Sequence, residues 1–297
     1  MSKLIKLSKN LNIGGYSLPA DFQCVDNDFL SSLLPLTFAQ RANAIFTHFT
    51  GKTLSDNAFD CFEDKDFLAS VISVDDGLNI LELFDGKNLS YEDYVFSSKT
   101  PIEEVVSLVI PIISGYIDLV DSECIKLGEK INIVSSVDDG RILLALYLLK
   151  LALFPINTLI LGSESEVQDK VKGLYFECPQ GNEVGEITNL FYEDFDYVFD
   201  PITAASLVSY DCYLEDFDDE STTLILALIS PYLFARKIVK TLYNKNEISV
   251  DNALKIIFNE TGLEVPNSIK NKQLQPFYKN SEKLSVKDAI KIIKNTF

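Results

Sequence analysis

The sequence predicts an α/β protein with a parallel sheet and helices on its faces, and three observations carry that prediction. Short apolar runs that read as strands recur at 78–84, 130–136, 156–162 and 221–230, and stretches of helical pattern separate them. Turn or cap residues punctuate each change of pattern. The 297 residues are 47% apolar and 24% charged, with no internal repeat or low-complexity linker, as in an ordinary globular protein that buries about three quarters of its unfolded surface.

In chain order, Gly14, Gly15 and Pro19 punctuate an opening segment. "DNDFLSSLLPLTFAQRANAIFTHF" (26–49) has apolar residues at helical spacing, with Asp26 or Asn27 as N-cap. "TLSDNAFDCFEDKDFLASV" (53–71) reads as a second helical unit, and "LNILELF" (78–84) as a strand ending at the turn signal Asp85-Gly86. "PIEEVVSLVIPIISGYIDLVDS" (101–122) opens a helix on proline with acids in its first turn, and Pro111 and Gly115 predict a kink. "KINIVSS" is a strand, "DDGRILLALYLLKLAL" a turn and buried helix, "INTLILG" a strand, and "SESEVQDKVKGL" (163–174) a capped, exposed helix. "LYFECP" (174–179) and "FDYVFD" (195–200) read as short strands, "PITAASLVSYDCYLED" (201–216) as a helix and "STTLILALIS" (221–230) as a buried strand. Helical segments follow at 231–243, 249–262 and 285–297, each opened by Ser or Pro, with a polar connector at 267–280 before the last. The expected organisation is a mainly helical segment over 1–75, an α/β core over 76–235 and a helical segment over 236–297 packed on that core.

Composition narrows function. Five widely spaced cysteines without a C-x-x-C pair spell neither a zinc cluster nor a redox motif, and suggest reduced thiols in a cytoplasmic protein. The first residues are too polar for a signal peptide. Neither 142–161, interrupted by Lys150 and Pro155, nor the short 224–235 gives the roughly 20 predominantly apolar residues of a spanning helix, so no membrane role is expected. The net charge of −18 is unevenly spread. Residues 173–235 hold 13 acids and no lysine or arginine, whereas 236–297 hold 12 basic residues against 6 acidic. Such a polyanion disfavours nucleic acid. The densest acidic cluster, 213–220, is either solvated surface or a face for a basic protein partner; the oligomeric state is not specified.

Generic catalytic templates fail. The lone His48 closes a predicted helix and reads as a residue interacting with the helix dipole. No G-x-S-x-G elbow accompanies it, and the acidic cluster lacks the glycine and spacing of a calcium loop, so no metal is expected.

One resemblance remains. "LELFDGKNLSYEDY" (81–94) resembles the threonine synthase signature L-E-L-F-H-G-P-T-x-x-F-K-D-F through Leu81, Glu82, Leu83, Phe84, Gly86, Leu89 and Asp93, with Tyr91 and Tyr94 for the phenylalanines. "IGGYSLPADF" (13–22) is similar to the family's G-G-L-Y-V-P-E opening, and 36–59 to its N-terminal helical unit. "SSVDDGR" falls where the family places its S-G-D-T-G phosphate loop, matching at Ser136, Asp138 and Gly140. "YVFDPITAAS" resembles Y-x-x-D-P-H-T-A through Asp200 and Thr203. Family members are considerably longer, and a second phosphate loop, G-N-F-G, has no clear counterpart; 135–141 could descend from either.

The resemblance implies the fold-type II class of pyridoxal phosphate enzymes, in shortened form, and also a loss. In the family the lysine of F-K-D forms a Schiff base with the coenzyme, which acts as electron sink. Here Glu92 stands in its place, and a carboxylate cannot form an imine. Asp85, Lys87 and Asn88 replace the H, P and T of the signature. Val137 and Asp139 replace a glycine and threonine of the phosphate loop, and Ile202 replaces a histidine. Lys87 and Lys99 are the nearby lysines that could substitute. The expectation is a catalytically degenerate threonine synthase-like protein without coenzyme, in a binding or regulatory role. The alternatives are a divergent threonine synthase that keeps pyridoxal phosphate and converts O-phosphohomoserine to threonine and phosphate, and an acidic α/β protein-interaction module.

Overall fold

The computed structural model describes residues 3–7, 9, 11–62, 68–96, 100–163, 174–245, 248–261, 269 and 284–296. A small antiparallel pair, β1 (Leu4–Lys6) and β2 (Asp21–Gln23), leads into α1 (Asn27–Leu33) and α2 (Phe38–Thr50). Asp26 caps α1 by accepting from the Phe29 amide. Residues 34–37, with Pro35, separate the two helices, and Thr37 and Gln40 open α2 with a capping box.

The main sheet contains β3 (Val71–Asp75), β4 (Leu78–Glu82), β5 (Ile131–Ser136), β6 (Ile156–Gly162), β7 (Leu174–Glu177) and β8 (Thr223–Ala227), in the spatial order β3-β4-β8-β5-β6-β7. Only the β3–β4 ladder is antiparallel. The last strand in sequence therefore lies between the second and third. Its residues alternate between two cores: Leu224 and Leu226 face one, Ile225 and Ala227 the other. Both faces are covered, which is why β8 and the 159–161 stretch of β6 read as continuous apolar runs and why β5 is buried throughout despite Asn132, Ser135 and Ser136.

On one face lie α3 (Pro101–Asp121) and α4 (Gly140–Leu151), with α2 against α3 and α9 (Val286–Lys294) against α4. The other face carries α5 (Glu183–Phe195) and α6 (Pro201–Asp216). A third apolar cluster joins α7 (Ala235–Tyr243) and α8 (Val250–Thr261). Thr100 and Glu103 form the capping box of α3, and Pro111 lies inside that helix.

Two expectations need correction. Residues 56–61 form turns rather than a helix. The hairpin turn of this region is Asp76-Gly77, where Gly77 adopts a φ of 75°, so that 71–75 becomes a strand. "FDYVFD" is not a strand, because its first residue ends α5 and Asp196 turns the chain in the left-handed region. The helix expected over 163–174, the connector at 267–280 and Lys99 fall outside the described residues, apart from Ser163, Leu174 and Ile269. No described helix is long and apolar enough to cross a membrane.

Candidate functional site

The three segments that carry chemistry in the sequence converge at the carboxyl end of the parallel strands, where α/β folds place their ligands. The first is the loop after β4. Its 3₁₀ turn, Tyr91–Tyr94, is tied to the exit of β8: the Tyr91 amide donates to the Leu228 carbonyl (2.8 Å) and the Ser230 amide to the Leu89 carbonyl (2.9 Å). Asp93 organises the loop from within, accepting from the Asn88 amide (2.8 Å) and the Asn88 side chain (2.7 Å). Gly86 is required there, because a Cβ would fall 2.3 Å from Asp93 Cγ. Lys87 turns outward and donates to the Asp60 carbonyl (2.7 Å).

The second segment, 136–141, joins β5 to α4. Asp138 accepts from Ser136 (3.1 Å) and from Ser163 at the end of β6. Asp139 caps α4 through the Arg141 amide (2.9 Å). The Gly140 amide donates to the Leu284 carbonyl (2.9 Å), immediately before α9. A Cβ on Gly140 would lie 2.6 Å from the Ser285 carbonyl oxygen and 2.7 Å from that of Leu284. The amides at this helix start thus already have acceptors within the protein.

The third segment opens α6. Asp200 accepts from the Ile202 and Thr203 amides and from the Thr203 hydroxyl (2.5 Å), and the Leu228 amide donates to that hydroxyl (3.3 Å). Burial pushes the Asp200 carboxyl up to about 6, against the pull of these donors.

Arg141 joins the first two segments. Its guanidinium reaches Asp139 Oδ2 (2.7 Å), Glu92 Oε1 (2.7 Å) and Glu104 Oε2 (3.2 Å), with only 7% of the side chain exposed. Tyr91 donates to Asp139 (2.8 Å) and Tyr16 to Glu104 (2.8 Å). Burial would raise the Asp139 carboxyl, but the hydrogen bonds and charge of Arg141 hold it below the usual range. Burial also opposes the Arg141 charge, and Asp139 and Glu92 outweigh it. Asp139, which stands where the resemblance places a threonine, is therefore a helix cap and an arginine ligand. Sequence reading missed Arg141, Glu104 and Tyr16. The available signal was an arginine inside an otherwise apolar buried helix, which requires carboxylate partners.

Beside this network, Tyr197 donates to Glu82 (2.7 Å) at the end of β4. Asp85 keeps exposed area, yet the surrounding protein strips most of its hydration, and with the neighbouring Glu82 charge this pushes it up to about 7. His48 belongs to another region, stacked on Phe29 (centroids 3.9 Å apart) near the Gln23 carbonyl. Burial lowers its pKa, so the ring is neutral at pH 7 and offers the helix dipole no full charge. Among the described residues, no group of three or more His, Cys, Asp or Glu side chains is placed to hold a metal ion.

No family model matches the chain, and no curated protein matches it. The fold is similar to three solved structures. Threonine synthase from Escherichia coli superposes with a TM-score of 0.66 at 12% identity, covering 87% of this chain and 88% of that one. A PLP-bound threonine synthase from Brucella melitensis gives 0.62 at 11%, covering 84% and 89%. Threonine synthase from yeast gives 0.61 at 12%, covering 92% and 91%. At these identities the likeness is one of fold.

Proposed function

We propose that this chain is a shortened, cytoplasmic threonine synthase-like protein whose coenzyme site is degenerate, and that it serves as a binding or regulatory protein rather than an enzyme. One observation carries the reading: Glu92, which the sequence resemblance aligns with the family's Schiff-base lysine, is bonded to Arg141 at 2.7 Å within a network of three carboxylates and a guanidinium.

The residues present do not fit pyridoxal phosphate. An imine needs a primary amine, and Lys87, the described lysine of this loop, is engaged by a surface carbonyl. A phosphate needs free amides or uncommitted cations. The Gly140 amide is bonded to Leu284, the Arg141 amide to Asp139, and the Arg141 guanidinium to carboxylates. An anion placed here would face an excess of negative charge. The backbone that once shaped such a site remains serviceable as a scaffold, since Asp93, Gly86, Asp200 and Thr203 each hold loop geometry rather than reacting groups.

Incubation with pyridoxal phosphate, borohydride reduction and peptide mapping test the reading. No coenzyme absorbance and no modified lysine at the strand-end loops are expected. A reducible adduct on a lysine of those loops, accompanied by coenzyme absorbance, would overturn it in favour of a divergent enzyme.

A further inference from the structure

The end of α6 combines two features that rarely coincide on plain solvated surface. Leu214 and Phe217 are 43% and 50% exposed. Around them Asp211, Glu215, Asp218 and Glu220 are exposed as well, and no lysine or arginine occurs anywhere between residues 173 and 235. None of these carboxylates is in an ion pair among the described residues.

The surface is rigid beneath. The Phe217 ring packs on Tyr213 (centroids 4.9 Å) and edge-on to Tyr175 (5.9 Å). Buried Tyr213 donates to Asp219 (2.6 Å), which also accepts from Asn132, Asn157 and the Ser221 amide, so its pKa lies below the usual range despite its partial burial. Asp219 is thus a structural member of the cluster and not part of the free acidic rim. An aromatic side chain fixed in place but half open to solvent has already lost the freedom that binding would take from it.

We propose that Leu214 and Phe217, with their rim of carboxylates, form a docking surface for a basic amphipathic helix of a partner protein. Leu214 in the last turn of α6 and Phe217 at its extended C-cap offer apolar contacts for one face of such a helix, and the rim complements its lysines or arginines. A second copy of this chain is the poorer occupant, because two bodies of net charge −18 repel. Nor does the basic helix α7 neutralise the rim. Asp219 and Ser221 precede β8 and basic α7 follows it, so the strand, roughly 16 Å long at about 3.3 Å per residue, separates them. The proposal stands whether or not the Arg141 network excludes the coenzyme.

The probe is a synthetic Lys/Leu amphipathic helical peptide, with a scrambled peptide of the same composition as control, titrated against the full chain at low salt and near 0.15 M salt. Two variants address the surface: Leu214→Ser with Phe217→Ser, which leaves the charge intact, and Glu215→Gln with Asp218→Asn and Glu220→Gln. Glu183→Gln with Glu186→Gln and Glu193→Gln on α5 matches the second change in charge. The expected result is about tenfold weaker helix binding for each surface variant, less than about twofold for the α5 control, and about tenfold preference over the scrambled peptide. Equal losses in the α5 control, or equal binding of the scrambled peptide, would reduce the effect to diffuse attraction and overturn the proposal. Salt-sensitive self-association abolished by either surface variant would overturn it too, by making a second copy the occupant.

Discussion

Replacing Arg141 by methionine removes the guanidinium at the centre of the buried network while keeping much of its volume. Asp139, with 5% of its side chain exposed, then loses the guanidinium bonded to it at 2.7 Å. Glu92 and Glu104, at 25% and 22%, recover part of their hydration from solvent. Breaking a buried ion pair from one side costs about 3–5 kcal/mol, and the two partly hydrated glutamates place the expected loss at the lower end, about 3 kcal/mol. At roughly 2–4 °C per kcal/mol for a chain of this class, the melting midpoint should fall by about 6–12 °C. The loss should also depend on pH. In the wild type the Asp139 pKa is depressed, so its contribution is present above the unfolded value near 4 and fades as pH falls below it. In the variant, burial without a cation raises the same pKa, so the penalty is full at neutral pH and relaxes as the carboxyl protonates. Urea melts followed by circular dichroism at pH 7 and near pH 4.5 measure both effects. An unchanged midpoint, or a difference as large at the acidic pH as at the neutral one, would refute the account of Arg141 as the clamp on three carboxylates.

Other outcomes follow from the same geometry. Glu92→Lys should yield no threonine from O-phosphohomoserine and should lower stability by about 1 kcal/mol, because it sets a second cation against Arg141; measurable turnover would mean that the surrounding loops are intact for catalysis. Gly140→Ala forces a methyl to 2.6 Å from a backbone oxygen, so about 1–3 kcal/mol of stability should be lost, and hydrogen exchange should accelerate first in α9. Asp85→Asn should flatten the stability profile: a carboxyl raised to about 7 stabilises fully below its unfolded pKa and loses that contribution as pH rises toward 7, and an amide does not titrate. Melts between pH 4.5 and 8 read the difference directly.

The sequence was legible wherever burial imposed a local pattern. The strands β4, β5, β6 and β8 announce themselves because both sheet faces are covered, nearly every residue is buried, and most are apolar. The strand β3 hides because it is an edge strand with exposed Ile72 and Ser73, held by pairing rather than by its own composition. The helix α5 hides for a related reason, with an acidic outer face and three described buried side chains. At the candidate site, Gly86, Asp93, Asp200 and Thr203 could be picked out because each serves a turn or cap within a few residues of itself. The Arg141 network could not. Its partners lie 49 and 37 residues upstream, and a segment-by-segment reading assigns each charge to solvent.

The place of β8 between β4 and β5 has a consequence for how the chain assembles itself. Until Thr223–Ala227 has left the ribosome, β4 and β5 have no ladder joining them, and the nascent chain can hold only two half-sheets, β3–β4 and β5–β6–β7. Each half presents a raw inner edge of unpaired amides and carbonyls, the kind of edge that recruits other chains. Insertion of one five-residue strand closes both edges at once and brings Leu228 and Ser230 to the loops that they tie down. Residues far apart in the chain must meet before this step, which makes it slow. A chain truncated before residue 223 is therefore left with two aggregation-prone edges, and the cell's exposure to that hazard runs from the completion of β4 at residue 82 to that of β8 at residue 227.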